Sequence, residues 1–215
     1  MSVLSCPYIK FKGQAAERNL IKAILNSPQA SSSSKNFPKV SVIGRNKKIH
    51  PDIDIFQIKD KDQSSKRLIG LEVKVIKIIE EKRKKKGWNW EEIYKGIGQA
   101  LLYLQFGLDQ CGLILGFHEN VPNEKIEEFE EELKKKVSLL AQILGGYFTL
   151  GLFLWEKGGI FEIVKADRDF RYSNYGNQLY GKEVEENIKD FRNLLLSRQF
   201  LWDKKLAKSC EYAEK

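Results

Sequence analysis

Two short strings in this chain of 215 residues place charged side chains where charge is costly. His50-Pro51-Asp52-Ile53-Asp54 sets two carboxylates two residues apart in an apolar run, and Leu71-Glu72-Val73-Lys74 sets a carboxylate and an ammonium two apart in another. Residues two apart on a β-strand point to the same face. Charges inside a hydrophobic strand are unfavourable unless they are paired or bind a cation. An aspartate beside Glu72 from a neighbouring strand brings two like charges together, and a hard cation such as Mg²⁺ relieves the repulsion. Such an ion needs only one or two carboxylates, keeps its waters and accepts a phosphate oxygen. It acidifies a bound water and polarises the phosphoryl group, while a lysine positions the water or stabilises developing charge. These residue types therefore suit phosphodiester hydrolysis. Asp52 and Asp54 share a strand face, so either can be the ligand; the proline before Asp52 favours Asp52 by motif. The alternative is that Glu72 and Lys74 form a solvated strand face with a cross-strand ion pair.

The elements that must position these groups follow from periodicity. Gly13 to Asn26 carries Ala16, Leu20, Ala23 and Ile24 at helical spacing and is closed by Asn26 and Pro28. Ser31 to Lys35 (SSSSK) reads as a surface loop. Lys39 to Gly44, Ile49 to Ile58 and Leu68 to Ile79 read as strands, the last two joined by a polar turn at Asp60 to Lys66. A helix over Asn89 to Phe106, a buried strand over Cys111 to Phe117 and a long helix over Pro122 to Leu144 follow. Tyr147 to Trp155 and Gly159 to Val164 form a hairpin around Lys157 and Gly158, and Lys182 to Lys208 forms a final helix. This order predicts an α/β domain with a mixed central sheet flanked by helices, ending in a β-hairpin and a helix.

Composition bounds the partners. Lys and Arg number 37 against 29 acids, a net charge of +8, which favours polyanions such as nucleic acid. The isoelectric point is about 9.2 and the mean hydropathy −0.43. No apolar run is long enough for a membrane helix, and MSVLSCPYIKFK has no secretory apolar core. Cys6, Cys111 and Cys210 are widely spaced and fit neither a disulfide framework nor a zinc site, so the cytoplasm is the expected compartment.

The strings around Asp52 and Glu72 resemble the signature of the PD-(D/E)xK nuclease superfamily, and Lys12-Gly13 to Glu17-Arg18 resembles the first-helix motif of archaeal Holliday-junction resolvases. Gln99-Ala100-Leu101-Leu102-Tyr103 is similar to the QxxxY motif of RecB-type nucleases; Gln99 and Tyr103 share a helix face, with Lys95 one turn earlier. The resemblance implies a restriction-endonuclease-like core over Gly13 to Phe117. It implies that Asp52, Glu72, the Val73 carbonyl and Glu17 serve a Mg²⁺ site, with Mn²⁺ able to substitute. It further implies that Lys74 serves the attacking water, and that Gln99 and Tyr103 organise the site or contact DNA. The implied activity is a metal-dependent deoxyribonuclease leaving 5′-phosphates, in repair, recombination or viral DNA processing. A DNA-binding protein that keeps the scaffold without cutting is the alternative. One domain is expected over residues 1–215, with the core at about 10–120 and an elaboration at about 121–215 that matches no motif after His118.

Further candidates are weaker. Lys82, Arg83, Lys84, Lys85 and Lys86, followed by Trp88 and Trp90, suit either a DNA-backbone contact or a solvated loop with core tryptophans. Lys95 joins these as a DNA contact. Lys134 to Lys136 balances Glu127 to Glu132 along a solvated helix, and His50 and His118 are read as structural. The aromatic hairpin offers a surface for a homodimer. Gly96 and Gly98 lower helix propensity, which points to close approach of a strand or a ligand.

Overall fold

The structure, a computed structural model, describes residues 8–30, 34–42, 52–60, 66–79, 87–144, 146–154, 159–168 and 182–215. At its centre is a seven-stranded mixed sheet. Its strands are β1 (Lys10–Phe11), β2 (Ser34–Val40), β3 (Ile53–Asp60), β4 (Lys66–Ile76), β7 (Gln110–His118), β8 (Phe148–Phe153) and β9 (Ile160–Val164). The order is β2-β3-β4-β7-β8-β9, with β1 added beside β7. The β2-β3-β4 meander is antiparallel, β4, β7 and β8 are parallel, and β8 and β9 are antiparallel. A separate pair, β5 (Ile78–Ile79) and β6 (Gly87–Trp88), extends the end of β4.

Parallel neighbours need crossover connections. Helix α2 (Trp90–Leu102) joins β4 to β7 and α3 (Glu124–Leu144) joins β7 to β8. Both cover one sheet face, where Ile93, Ile97, Phe129 and Leu133 pack with Phe56, Leu68 and Leu113. Helix α1 (Ala16–Leu25) covers the other face, its Leu20, Ile21 and Ile24 packing with Ile55, Leu71 and Val73. The period-two alternation of β3 and β4 thus feeds two cores, one on each side.

Several boundaries differ from expectation, among them the strand expected over Lys39 to Gly44, which runs over Ser34–Val40 instead. The polar run at Ser31 to Lys35 is not wholly a loop, because Ser34 and Lys35 begin β2, paired with Lys59 and Ile58 of β3. The predicted last helix is two: α4 (Lys182–Leu196) and α5 (Lys204–Lys208). Between them Leu201 exchanges backbone hydrogen bonds with Ser41 at the β2 edge, and Asp203 caps α5 by accepting from the Leu206 amide. An edge strand offers unpaired backbone groups, and satisfying them here outweighs helix continuity. Helix α2 also tightens into a 3₁₀ turn, Tyr103–Phe106, before Gly107 ends it in a left-handed conformation. The turn between β3 and β4 and the tip between β8 and β9 lie outside the described residues.

Two glycines set how closely α2 approaches the sheet. A Cβ on Gly96 would lie 2.9 Å from Leu113 Cδ1 and 3.0 Å from Lys74 Cγ, whereas one on Gly98 would meet nothing within 4 Å. Gly98→Ala is therefore expected to stabilise the protein by about 1 kcal/mol through helix propensity. Gly96→Ala is expected to lose that gain to overpacking of about 1–3 kcal/mol. Urea denaturation of both variants checks the contrast, and equal stabilities would contradict it.

Candidate active site

The site lies where β3 and β4 part. Their ladder runs from Asp60↔Lys66 to Ile55↔Leu71, while β4 stays paired with β7 as far as Ile76↔Phe117. Past Leu71 the β3 side of β4 opens into a notch. Continuing the register sets Asp54 opposite Glu72, and facing pairs across antiparallel strands project to one side. Both acids are buried, Asp54 at 4% and Glu72 at 3% exposure, so a solvated strand face does not describe them.

The backbone explains why Asp54 is held there. Its Oδ2 accepts the Val73 amide at 2.9 Å, replacing the ladder bond that the parting strands give up. Its Oδ1 is ion-paired with Lys39 Nζ from β2. The N–H and C=O of one strand residue point to the same edge, so the Val73 carbonyl faces the notch as well. The Asp52 carboxylate instead accepts from Ser41 Oγ at 2.9 Å. Of the two aspartates, Asp54 is the one whose carboxylate stands with Glu72.

A chain of polar contacts runs through Glu72. Lys74 Nζ is 2.7 Å from Glu72 Oε1 and 3.8 Å from Glu17 Oε1. The ammonium thus lies between β4 and α1. On the other side the Tyr103 hydroxyl meets Glu72 Oε2 and lies 3.0 Å from the Asp52 carbonyl. A phenol has one proton to donate. Its two acceptors are the Glu72 carboxylate and the Asp52 carbonyl. The position of Tyr103 depends on Gly70 of β4, where a Cβ would come within 2.8 Å of the tyrosine ring.

Burial, then the Asp54 charge, raises the Glu72 pKa above the ordinary carboxylate value, against the opposing pull of Lys74 and Tyr103. For Lys74, burial lowers the pKa, but attraction to Glu72 and then Glu17 outweighs it, and the net shift is upward. Burial and the Glu72 charge push the Tyr103 hydroxyl far above an ordinary phenol, so it stays protonated.

The remaining sequence candidates divide. Gln99 lies on α2, partly buried, and its Oε1 is a buried oxygen with no hydrogen-bond partner among the described residues. Lys95 is exposed on the same helix. Trp88 and Trp90 are half-buried and pack against the core at Phe129, with ring centroids 4.7 and 5.6 Å away. Lys134 and Lys136 pair with Glu130 and Glu132 along α3, as a solvated helix face requires. His118 Nδ1 accepts from the Asn120 amide, a local turn contact. His50 and the cations Lys82, Arg83, Lys84, Lys85 and Lys86 lie outside the described residues. Sequence reasoning missed Lys39, which is opposite Asp54 only because of the β2–β3 register.

As a donor set, the site offers two buried carboxylates and a carbonyl. No group of three or more acids, histidines or cysteines among the described residues is placed to hold a metal ion by itself. Mg²⁺ does not need one: it is commonly held by one or two carboxylates, with water and phosphate completing the shell. The hard oxygen donors at the notch fit that mode. No match to this chain is found among protein-family models, curated proteins or solved structures. No helix among the described residues is long and apolar enough to cross a membrane.

The raised Glu72 pKa fixes a sign for stability. A group with a raised folded-state pKa contributes most below its unfolded value, about 4.3 for glutamate, and that contribution fades as pH rises through the folded value. Glu72→Gln is therefore expected to flatten this decline in the metal-free protein, measured as unfolding free energy from pH 4 upward. An unchanged profile would show that Glu72 does not carry the effect.

Proposed function

We propose that this chain is a metal-dependent deoxyribonuclease with a restriction-endonuclease-like core. The observation that carries the reading is the facing pair Asp54 and Glu72 at the strand notch, tied to Lys74, Glu17 and Tyr103. Two neighbouring buried carboxylates destabilise each other, and a divalent cation turns that cost into affinity. The net charge of +8 suits a polyanionic substrate.

In this mechanism Asp54, Glu72 and the Val73 carbonyl would hold Mg²⁺ or Mn²⁺. When bound, the ion supplies Lewis acidity at the phosphoryl oxygen and an acidified water. The protein's own groups do the rest. Tyr103 fixes the rotamer of Glu72 so that its carboxylate stays at the notch. Lys74 remains a cation, orients the attacking water and offsets charge building on the phosphate. Glu17, 3.8 Å from Lys74 Nζ, is a second partner for the ammonium besides Glu72. Gln99 on α2, whose buried Oε1 has no hydrogen-bond partner among the described residues, organises the site or contacts DNA. Cleavage on the 3′ side of the phosphorus leaves a 5′-phosphate.

A second reading has its own support. Each buried acid already has a lysine partner, Lys39 for Asp54 and Lys74 for Glu72, and such a closed network suits a DNA-binding protein that does not cut. Cleavage assays on plasmid, single-stranded and branched DNA separate the two. The nuclease reading predicts activity with Mg²⁺ or Mn²⁺, loss with EDTA, and a fall of at least about 100-fold in Glu72→Ala and Asp54→Asn, exceeding that in Asp52→Asn. Salt-sensitive binding with no cleavage of any form would favour the second reading.

A further inference from the structure

The notch holds a lysine that hydrolysis does not require. Pro38 pairs with Ile55 and Val40 with Ile53, so Lys39 stands across from Asp54. Among the described residues Asp54 is its ion-pair partner. The backbone of Lys39 is unusual too: its φ is +50°, in the left-handed region that residues with a Cβ avoid. The conformation is enforced from outside β2. The Asp203 amide donates to the Pro38 carbonyl at 3.0 Å, and Ser41 and Leu201 exchange hydrogen bonds of 2.8 and 3.0 Å. Strain of this kind persists only where its surroundings over-determine it, and it clusters at ligand clamps.

The two lysines differ in what they can do when an ion arrives. Lys74 has Glu17 to turn to, whereas among the described residues the ion-pair partner of Lys39 is the oxygen that the ion would take. An ammonium on that oxygen competes for the same lone pairs and repels a divalent charge at short range. We propose that Lys39 is a built-in cation that occupies Asp54 in place of a divalent ion. It must be displaced for the ion to bind, and a phosphate group of DNA receives the released ammonium. Metal entry is thereby coupled to substrate. The proposal rests on the reading of Asp54 as a metal ligand.

Calorimetric titration of Mn²⁺ into the full-length protein tests it, using wild type, Lys39→Met and Lys39→Gly, with Asp54→Asn as control. Both Lys39 variants are expected to bind Mn²⁺ about fivefold or more tightly than wild type, and Asp54→Asn to bind more weakly. A non-cleavable phosphorothioate duplex is expected to raise the Mn²⁺ affinity of wild type more than that of Lys39→Met. Lys39→Gly tolerates the positive φ, so it keeps the test open if Lys39→Met folds poorly. Unchanged or weaker Mn²⁺ binding in the Lys39 variants, with a wild type that binds, overturns the proposal alone. So does tightening in Lys39→Gly but not in a folded Lys39→Met, which would assign the effect to strain rather than charge. A wild type that binds no Mn²⁺ overturns the metal-site reading and this proposal together.

Discussion

Burial of Asp54 and Glu72 side by side is the constraint around which the rest of the molecule is arranged. Removing one partner of a buried charge pair typically costs about 3–5 kcal/mol. Two neighbouring carboxylates without cations would approach the whole stability of an ordinary domain, about 5–15 kcal/mol. The protein meets this with Lys39 on one acid, Lys74 on the other, the Val73 amide on Asp54 and the Tyr103 hydroxyl on Glu72. A hydrophobic pair in the same place would be as stable or more so. Keeping charge there instead points to chemistry rather than to folding.

The architecture serves that placement. Parting β3 from β4 past Ile55↔Leu71 frees one edge of β4, while β7 stays paired with its other edge through Ile76. Helix α2 can close over the notch because two contacts lack a side chain: Gly96 faces the Lys74 stem, and Gly70 seats the Tyr103 ring. Helix α1 brings Glu17 from the other sheet face. The C-terminal segment, far away in sequence, pins the outer edge of β2 through Leu201 and Asp203 and so fixes Lys39.

Much of this was legible in the sequence. Alternation in Leu68 to Ile79 put Glu72 and Lys74 on one face, and the QxxxY spacing singled out Tyr103, whose hydroxyl meets Glu72. Period two could not choose between Asp52 and Asp54, which share a face; the end of the β3–β4 ladder chooses, since it leaves the Val73 amide for Asp54. Lys39 carried no signal, because nothing in Phe37-Pro38-Lys39-Val40 encodes its positive φ, which comes from contacts with residues more than 150 positions away. The break between α4 and α5 was hidden for the same reason: Leu201 leaves the helical pattern to satisfy Ser41. Local propensity and periodicity reach the elements; long-range pairing decides which side chain faces which.

The most direct test of the central claim is where a redox-active ion sits. With Fe²⁺ in place of Mg²⁺, ascorbate and hydrogen peroxide generate hydroxyl radicals that cut the polypeptide beside the bound ion. Mass spectrometry of the fragments should then show cuts near Asp54 at the start of β3 and near Glu72 and Val73 in β4, suppressed by excess Mg²⁺. Cuts scattered along the chain, or concentrated away from these two strands, would contradict the account.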